Sequence, residues 1–315
     1  MRILQLCRPW GRACGIANFA GNLHAAFVGA GVEVETRRDA PADANFDVVL
    51  IQHEHCFYSP TEVRALLADT AGARRVVFAH SPGLADLDGL VEGFACMNAG
   101  MVDTRRPLHM DHHPAYTRPL DNRDLLKRRL GLEKFDVVLG TTGFVNPPRR
   151  FDRFAAQLAP LCEQNNWCLY FATALHWHTP QNSGLRQASE RLQRVARRHP
   201  RMVRLERNFL HACEVNEILQ ACDLNWCWTE VPSKPYASGV ASDLFGAGTR
   251  LLVADKQQHR AVFDLPGVTR GPQDFDDFLD RLSQLACDGD FSRHHGAALS
   301  WDVWAARFLS FLRSL

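Results

Sequence analysis

The sequence predicts an α/β protein made of two successive domains, each a parallel sheet with crossover helices. Short apolar runs alternate with amphipathic segments along most of the 315 residues, the trace that parallel strands and their crossovers leave. The alternation lapses in an irregular stretch at 86–119 and restarts after Gly131, which marks a boundary. The third observation is the stretch from Tyr236 to Ala254. It joins small residues at Ala237, Ser238 and Gly239 to helical spacing at Val240, Leu244 and Ala247, then a glycine stop at Gly248 and an apolar run at 251–254.

In chain order, residues 3–7 form the first expected strand. A loop through Pro9, Gly11 and Gly15 feeds a helix over 16–28, with Ile16, Phe19, Leu23 and Phe27 on one face and stops at Gly29 and Gly31. Residues 32–36, 46–53 and 75–79 read as strands, with a helix at 62–71 before the last, and 98–102 reads as a further strand region. A basic helix over 121–130 ends at Gly131. Strands then follow at 135–140, 167–172, 203–206, 224–228 and 251–254, and helices begin at Phe151, Leu185, Val215 and Phe275. Ser300 reads as the N-cap of a last helix with an apolar stripe of Trp301, Trp304, Phe308, Phe311 and Leu315. The expected divisions are 1–132, 133–298 and a terminal helix at 299–315.

The formal net charge is +1, from 36 basic and 35 acidic residues, so bulk charge argues for neither nucleic acid nor a strongly acidic partner. Ten cysteines lie singly with no Cys-x-x-Cys pair, which fits reduced thiols and a cytoplasmic location. No apolar run is long enough to span a bilayer, and the start is too short and interrupted for a signal peptide. The absence of Gly-x-Gly-x-x-Gly after the first strand disfavours a dinucleotide-binding dehydrogenase. His109, His112 and His113 read as solvated loop histidines rather than a zinc site. The arginines of the 185–198 helix read as a solvated face.

In open α/β sheets, ligands bind beyond the carboxyl ends of the strands, which singles out Gly11, Gly15, His53, Glu54 and His80. The helix start at Ser238, Gly239 and Val240 offers amides and a positive dipole end to an anion, with Asp243 one turn on to accept from ribose hydroxyls. An ordinary Ser-capped helix would look the same.

Several motifs together resemble the retaining glycosyltransferases of family 4. They are Gly15-Ile-Ala-Asn-Phe-Ala-Gly-Asn-Leu23, Asp47-Val-Val-Leu-Ile-Gln-His-Glu54, Val76-Val-Phe-Ala-His80, Leu139-Gly-Thr-Thr-Gly-Phe-Val-Asn-Pro-Pro-Arg149, the 238–248 helix and Leu299-Ser-Trp-Asp-Val-Trp-Ala-Ala-Arg307. The resemblance implies the GT-B fold, two Rossmann-like domains facing across a cleft, acceptor side first and donor side second. It also implies that the terminal helix returns towards the first domain. Gly15 would let backbone approach the donor diphosphate, and His80 would contact the transferred sugar. Arg149 stands at the family's pyrophosphate lysine and Asp243 at its ribose glutamate. An arginine keeps the charge and adds a bidentate fork. The family's earlier glutamate falls at Pro235, with Glu230 or Lys234 as substitutes, and its arginine before the lysine is replaced around Thr142 and Gly143.

The expected activity is transfer of a sugar from a nucleotide-diphosphate sugar to a glycan, lipid-linked or small-molecule acceptor. Retention and metal independence are expected, since no Asp-x-Asp metal motif is read and the family implies that the donor phosphate helps deprotonate the acceptor. The nucleotide sugar is a co-substrate and no cofactor is expected. Glu54 and His53 are candidates for orienting the acceptor, with an exposed strand-end pair as the alternative. Arg149 is favoured over Arg150 for the leaving group. The resemblance adds peripheral docking at the inner membrane face through Arg105, Arg106 and the 123–129 group. The alternatives are a nucleotide-sugar epimerase or phosphorylase, and a non-catalytic GT-B partner protein.

Overall fold

The computed structural model describes residues 1–315 apart from Ala13, 41–44, Ala71, 98–100, 176–178 and 232–236. The chain divides into two compact units, the first holding Met1–His113 and Ser300–Leu315, the second Pro114–Lys234 and Ser238–Leu299.

The first unit runs β1 (Arg2–Leu6), α1 (Gly15–Gly29), β2 (Glu33–Arg37), β3 (Val48–His53), α2 (Pro60–Asp69), β4 (Arg74–Ala79), β5 (Gly93–Cys96) and β6 (Leu108–Met110). Its strands pair in parallel in the order β2-β1-β3-β4-β5-β6. β3 is buried along its whole length, which is why it reads as one apolar run. α2 starts on a reciprocal Ser59–Glu62 capping box with Pro60 at its first turn.

The second unit runs α3 (Arg123–Arg129), β7 (Val137–Phe144), α4 (Phe151–Asn165), β8 (Trp167–Ala174), α5 (Ser183–Arg198), β9 (Val203–Glu206), α6 (Ala212–Ala221), β10 (Leu224–Cys227), α7 (Gly239–Gly246), β11 (Arg250–Ala254), β12 (Val268–Gly271) and α8 (Phe275–Asp288). Its six strands are again parallel, in the order β12-β11-β10-β7-β8-β9. The last helix, α9 (Trp301–Ser314), belongs to the first unit. Its Trp304, Phe308 and Leu312 are buried in one core with Phe19, Leu23 and Phe27 of α1.

The units part after His113 rather than after residue 132. α3 is held to the second unit by a buried carboxylate: Lys127 Nζ and Arg123 Nη1 donate to Asp223 at 2.6 and 3.1 Å, and the Val138 amide donates to the same group at 2.8 Å. Arg129 pairs with Glu217 at 2.9 Å. The basic 123–129 group therefore belongs to the second unit and not the first, and its Arg123, Lys127 and Arg129 pair with carboxylates of that unit. Of the strand region expected at 98–102, Asn98 lies outside the described residues with 99 and 100, and Met101 and Val102 are not in a strand. β5 forms instead at Gly93–Cys96.

Candidate functional site

In the first unit, the expected residues gather at neighbouring strand ends. Glu54 follows β3 directly, His80 follows β4, and the His80 amide donates to the His53 carbonyl at 2.9 Å. Gly15 opens α1, exposed, with open space where a Cβ would stand. Cys14 occupies the N-cap position without a side-chain bond, so the helix start carries no built-in acceptor.

His80 is wired by a chain of buried carboxamides. The Ala20 carbonyl can only accept, so Gln5 Nε2 faces it at 2.8 Å. Gln5 Oε1 then accepts from Gln52 Nε2 at 2.9 Å, and Gln52 Oε1 accepts from His80 Nε2 at 2.8 Å. The chain fixes the tautomer: His80 carries its proton on Nε2 and keeps Nδ1 as the accepting nitrogen. Burial pushes its imidazole down to about 3, with His113 and His53 adding to the shift. His53, only 2% exposed, is pushed down to about 4, again chiefly by burial. Both rings are neutral at physiological pH.

In the second unit, the ends of β7 and β10 and the start of α7 converge. Gly143 near the end of β7 has φ +119°, and a Cβ there would meet Val240 Cγ2 at 3.1 Å, so glycine allows this approach. Ser238 caps α7 by accepting from the Ala241 amide at 3.2 Å. Its own amide donates to the Gln258 carbonyl at 2.8 Å. Ser238 is thus a cap and not an amide donor to a ligand, which corrects that expectation; Gly239 and Val240 supply the N–H groups without intrahelical partners.

Arg149 ends the short turn Pro147–Arg149, placed by the Asn146 side chain, which accepts from the Arg149 amide at 3.2 Å. Its Nη1 donates to Cys227 Sγ at 3.6 Å, and among the described residues no carboxylate pairs with it. Arg150 is spent on Glu230, with Nε and Nη2 donating at 2.7 and 2.8 Å, so Glu230 is not free to replace the missing glutamate. Lys234 and Pro235 lie outside the described residues. The Asp243 carboxylate receives the Tyr116 amide, yet burial outweighs that bond and pushes it up to about 7.

Two further expectations change. His109 and His113 are not solvated: His109 packs on Trp304, Phe308 and Phe311, and His113 on Phe19 and Trp301. Three Asp-x-Asp spacings do occur, and the structure spends two of them. Asp86 pairs with Arg64 while Asp88 accepts from Thr104 and the Arg105 amide; Asp274 caps α8 while Asp276 pairs with Arg153. In the third, Asp290 pairs with Arg250. Among the described residues no group of three or more His, Cys, Asp or Glu is placed to hold a metal.

Sequence reasoning missed the carboxamide chain and the Cys227–His259 contact. The first had a signal, since Gln5 and Gln52 are polar residues inside apolar strands. The second had none, for Cys227 is one of ten scattered cysteines and His259 is 32 residues on.

Two parallel six-stranded sheets with flanking helices are the Rossmann-like pair of the GT-B fold. The particular likenesses are remote in sequence. The structure of Anabaena Alr3699/HepE in complex with UDP and glucose matches at TM-score 0.67 and 11% identity over 100% of both chains. The N-terminal domain of Candida albicans trehalose-6-phosphate phosphatase matches at 0.61 and 9%, over 99% of this chain and 96% of that one. A UDP-forming α,α-trehalose-phosphate synthase from Burkholderia xenovorans, in complex with glucose-6-phosphate, matches at 0.59 and 13%, over 94% and 78%. No protein-family model and no curated protein sequence matches this chain. Among the described residues, no helix is long and apolar enough to cross a membrane.

Proposed function

We propose that this chain is a glycosyltransferase taking its sugar from a nucleotide-diphosphate donor, with UDP the first nucleotide to test. The observation that carries the reading is Arg149, a guanidinium without a carboxylate partner among the described residues, set at the same strand ends as the start of α7, whose first amides, Gly239 and Val240, have no intrahelical partner. A leaving diphosphate gathers negative charge, and a cation with helix-start amides is what stabilises it. The fold shared with UDP-bound HepE supports this choice.

Within this reading the second unit takes the donor and the first takes the acceptor. His80, neutral with Nε2–H fixed and Nδ1 open to accept, suits contact with sugar hydroxyls, and Glu54 on the adjacent strand end suits orienting the acceptor. Asp243 offers a carboxyl to the ribose. Transfer proceeds with retention and without a metal ion, and the acceptor is a glycan, a lipid-linked sugar or a small sugar such as glucose or glucose 6-phosphate. The protein works in the cytoplasm, with Arg105 and Arg106 the groups available for peripheral membrane contact.

Incubation with UDP-glucose and each acceptor, following released UDP, tests the activity. Acceptor-dependent release supports it; none from any UDP-, GDP- or ADP-sugar contradicts it. Rearrangement of donor without acceptor would favour an epimerase. A non-catalytic GT-B protein is the second reading, favoured by Pro235 at the glutamate position and by a neighbour of this fold that is a domain of a phosphatase. It is supported instead if the Arg149→Ala and Asp243→Ala proteins keep full biological activity.

A further inference from the structure

Cys227 ends β10 with 0% exposure, and its sulfur is met from two sides. Arg149 Nη1 donates to it at 3.6 Å, and His259 Nε2 lies 3.5 Å away. His259 is itself 1% exposed, and its Nδ1 lies 2.9 Å from the Ala254 carbonyl. A carbonyl only accepts, so Nδ1 carries a proton and Nε2 is the nitrogen that exchanges one with the sulfur. The neighbouring Gln258 is 2% exposed, and both polar atoms of its carboxamide lack partners among the described residues, while its carbonyl holds the start of α7.

We propose that Cys227 and His259 are positioning residues for Arg149: together they hold its guanidinium at the strand ends until an anionic diphosphate takes it over. This rests on the donor-site reading above. Before binding, the thiol proton sits on His259 Nε2, and the thiolate lies between the imidazolium so formed and the guanidinium. When the diphosphate takes the guanidinium, the thiolate loses one of its two cations and the proton returns from Nε2 to Sγ. One proton moves between two named atoms, and no co-reactant is needed.

The charges around the sulfur agree with this. Burial alone would push the thiol up, but His259 and then Arg149 outweigh it and bring it down to about 7. The elements packed against Cys227 carry other ionisable groups that are engaged elsewhere. Asp243 on α7 takes the Tyr116 amide, and Arg250 on β11 pairs with Asp290. Four other buried thiols, Cys7, Cys162, Cys168 and Cys222, are pushed up, each chiefly by burial.

The test has two arms on the full chain. In the first, without nucleotide, thiolate ultraviolet absorbance is measured at neutral pH as the difference between wild type and Cys227→Ser. The signal is expected in the wild type and expected to be lost in His259→Gln and reduced in Arg149→Gln. In the second, calorimetry gives UDP affinity across the neutral range for wild type, Cys227→Ala, Cys227→Ser and His259→Gln. Cys227→Ala is expected to weaken UDP about tenfold and to flatten its pH profile, with Cys227→Ser recovering part because a hydroxyl also accepts from arginine. UDP should quench the wild-type thiolate signal. Unchanged affinity and pH profile in folded Cys227→Ser and His259→Gln would overturn the proposal. If the wild type binds no UDP while the thiolate arm holds, the proposal falls through the donor reading and not through the sulfur contact.

Discussion

At the ends of β3 and β4, burial keeps His53 and His80 neutral and a carboxamide chain sets which nitrogen holds the proton. At the ends of β7 and β10, a guanidinium rests on a sulfur with no carboxylate beside it among the described residues. Two sheets of the same strand count thus carry different electrostatics around these side chains. An uncharged set of donors and acceptors suits hydroxyls, which need direction more than charge. A half-buried cation without a carboxylate beside it suits an anion, which supplies the missing charge. On the reading proposed above, the contrast pairs sugar with the first unit and diphosphate with the second.

The contrast can be broken most sharply at Arg149. Arg149→Ala should weaken UDP binding about 10- to 100-fold, the loss of roughly 1.5–3 kcal/mol expected for hydrogen bonds to a charged group. Calorimetry reads this directly, while His80→Ala should leave UDP affinity nearly unchanged. On the other side, Gln52→Leu strands the His80 Nε2–H and Gln5 Oε1, costing about 1–3 kcal/mol of stability by urea unfolding. Nitrogen NMR should then show His80 losing its single tautomer; a tautomer indifferent to this change would mean that the chain does not set it.

Acid should act on the first unit. His53 and His80 titrate in the unfolded chain near 6.5 but in the fold only at about 4 and about 3, so the unfolded state binds more protons across that window. Stability is full above about 6.5 and falls as the pH drops towards 4. Urea unfolding near neutrality and about two pH units lower should show this slope, and His53→Leu should flatten it. Asp243 in the second unit has the opposite sign, because its folded value is raised from 3.8 to about 7. It holds its proton in the fold, and its contribution is lost as pH rises through 7. Asp243→Asn should therefore be the more stable protein above neutrality, by under about 1 kcal/mol given its partial exposure.

The strands were legible where burial is nearly continuous, as in β3, β8 and β11, because such strands are mostly apolar. Of the four edge strands, β2 and β9 were read but β6 and β12 were not. β6 has three residues, two of them exposed, and β12 has one apolar side chain, so neither leaves a run to read. The boundary was misplaced because α3 looks like a solvated basic helix until Asp223, about 100 residues on, neutralises it. In the site, strand-end positions followed from topology, whereas the helix cap made by Ser238 and the surroundings of Arg149 were not legible. They depend on contacts with Gln258 and Cys227, which no local pattern encodes.

The central claim is that the second unit holds a nucleotide diphosphate through Arg149 and the start of α7. Calorimetric titration of the wild type and Arg149→Ala with UDP tests it most directly. Saturable binding by the wild type that weakens at least tenfold in the variant is the expected result. Absence of binding at millimolar UDP, GDP and ADP, or equal affinity in a folded Arg149→Ala, would contradict it.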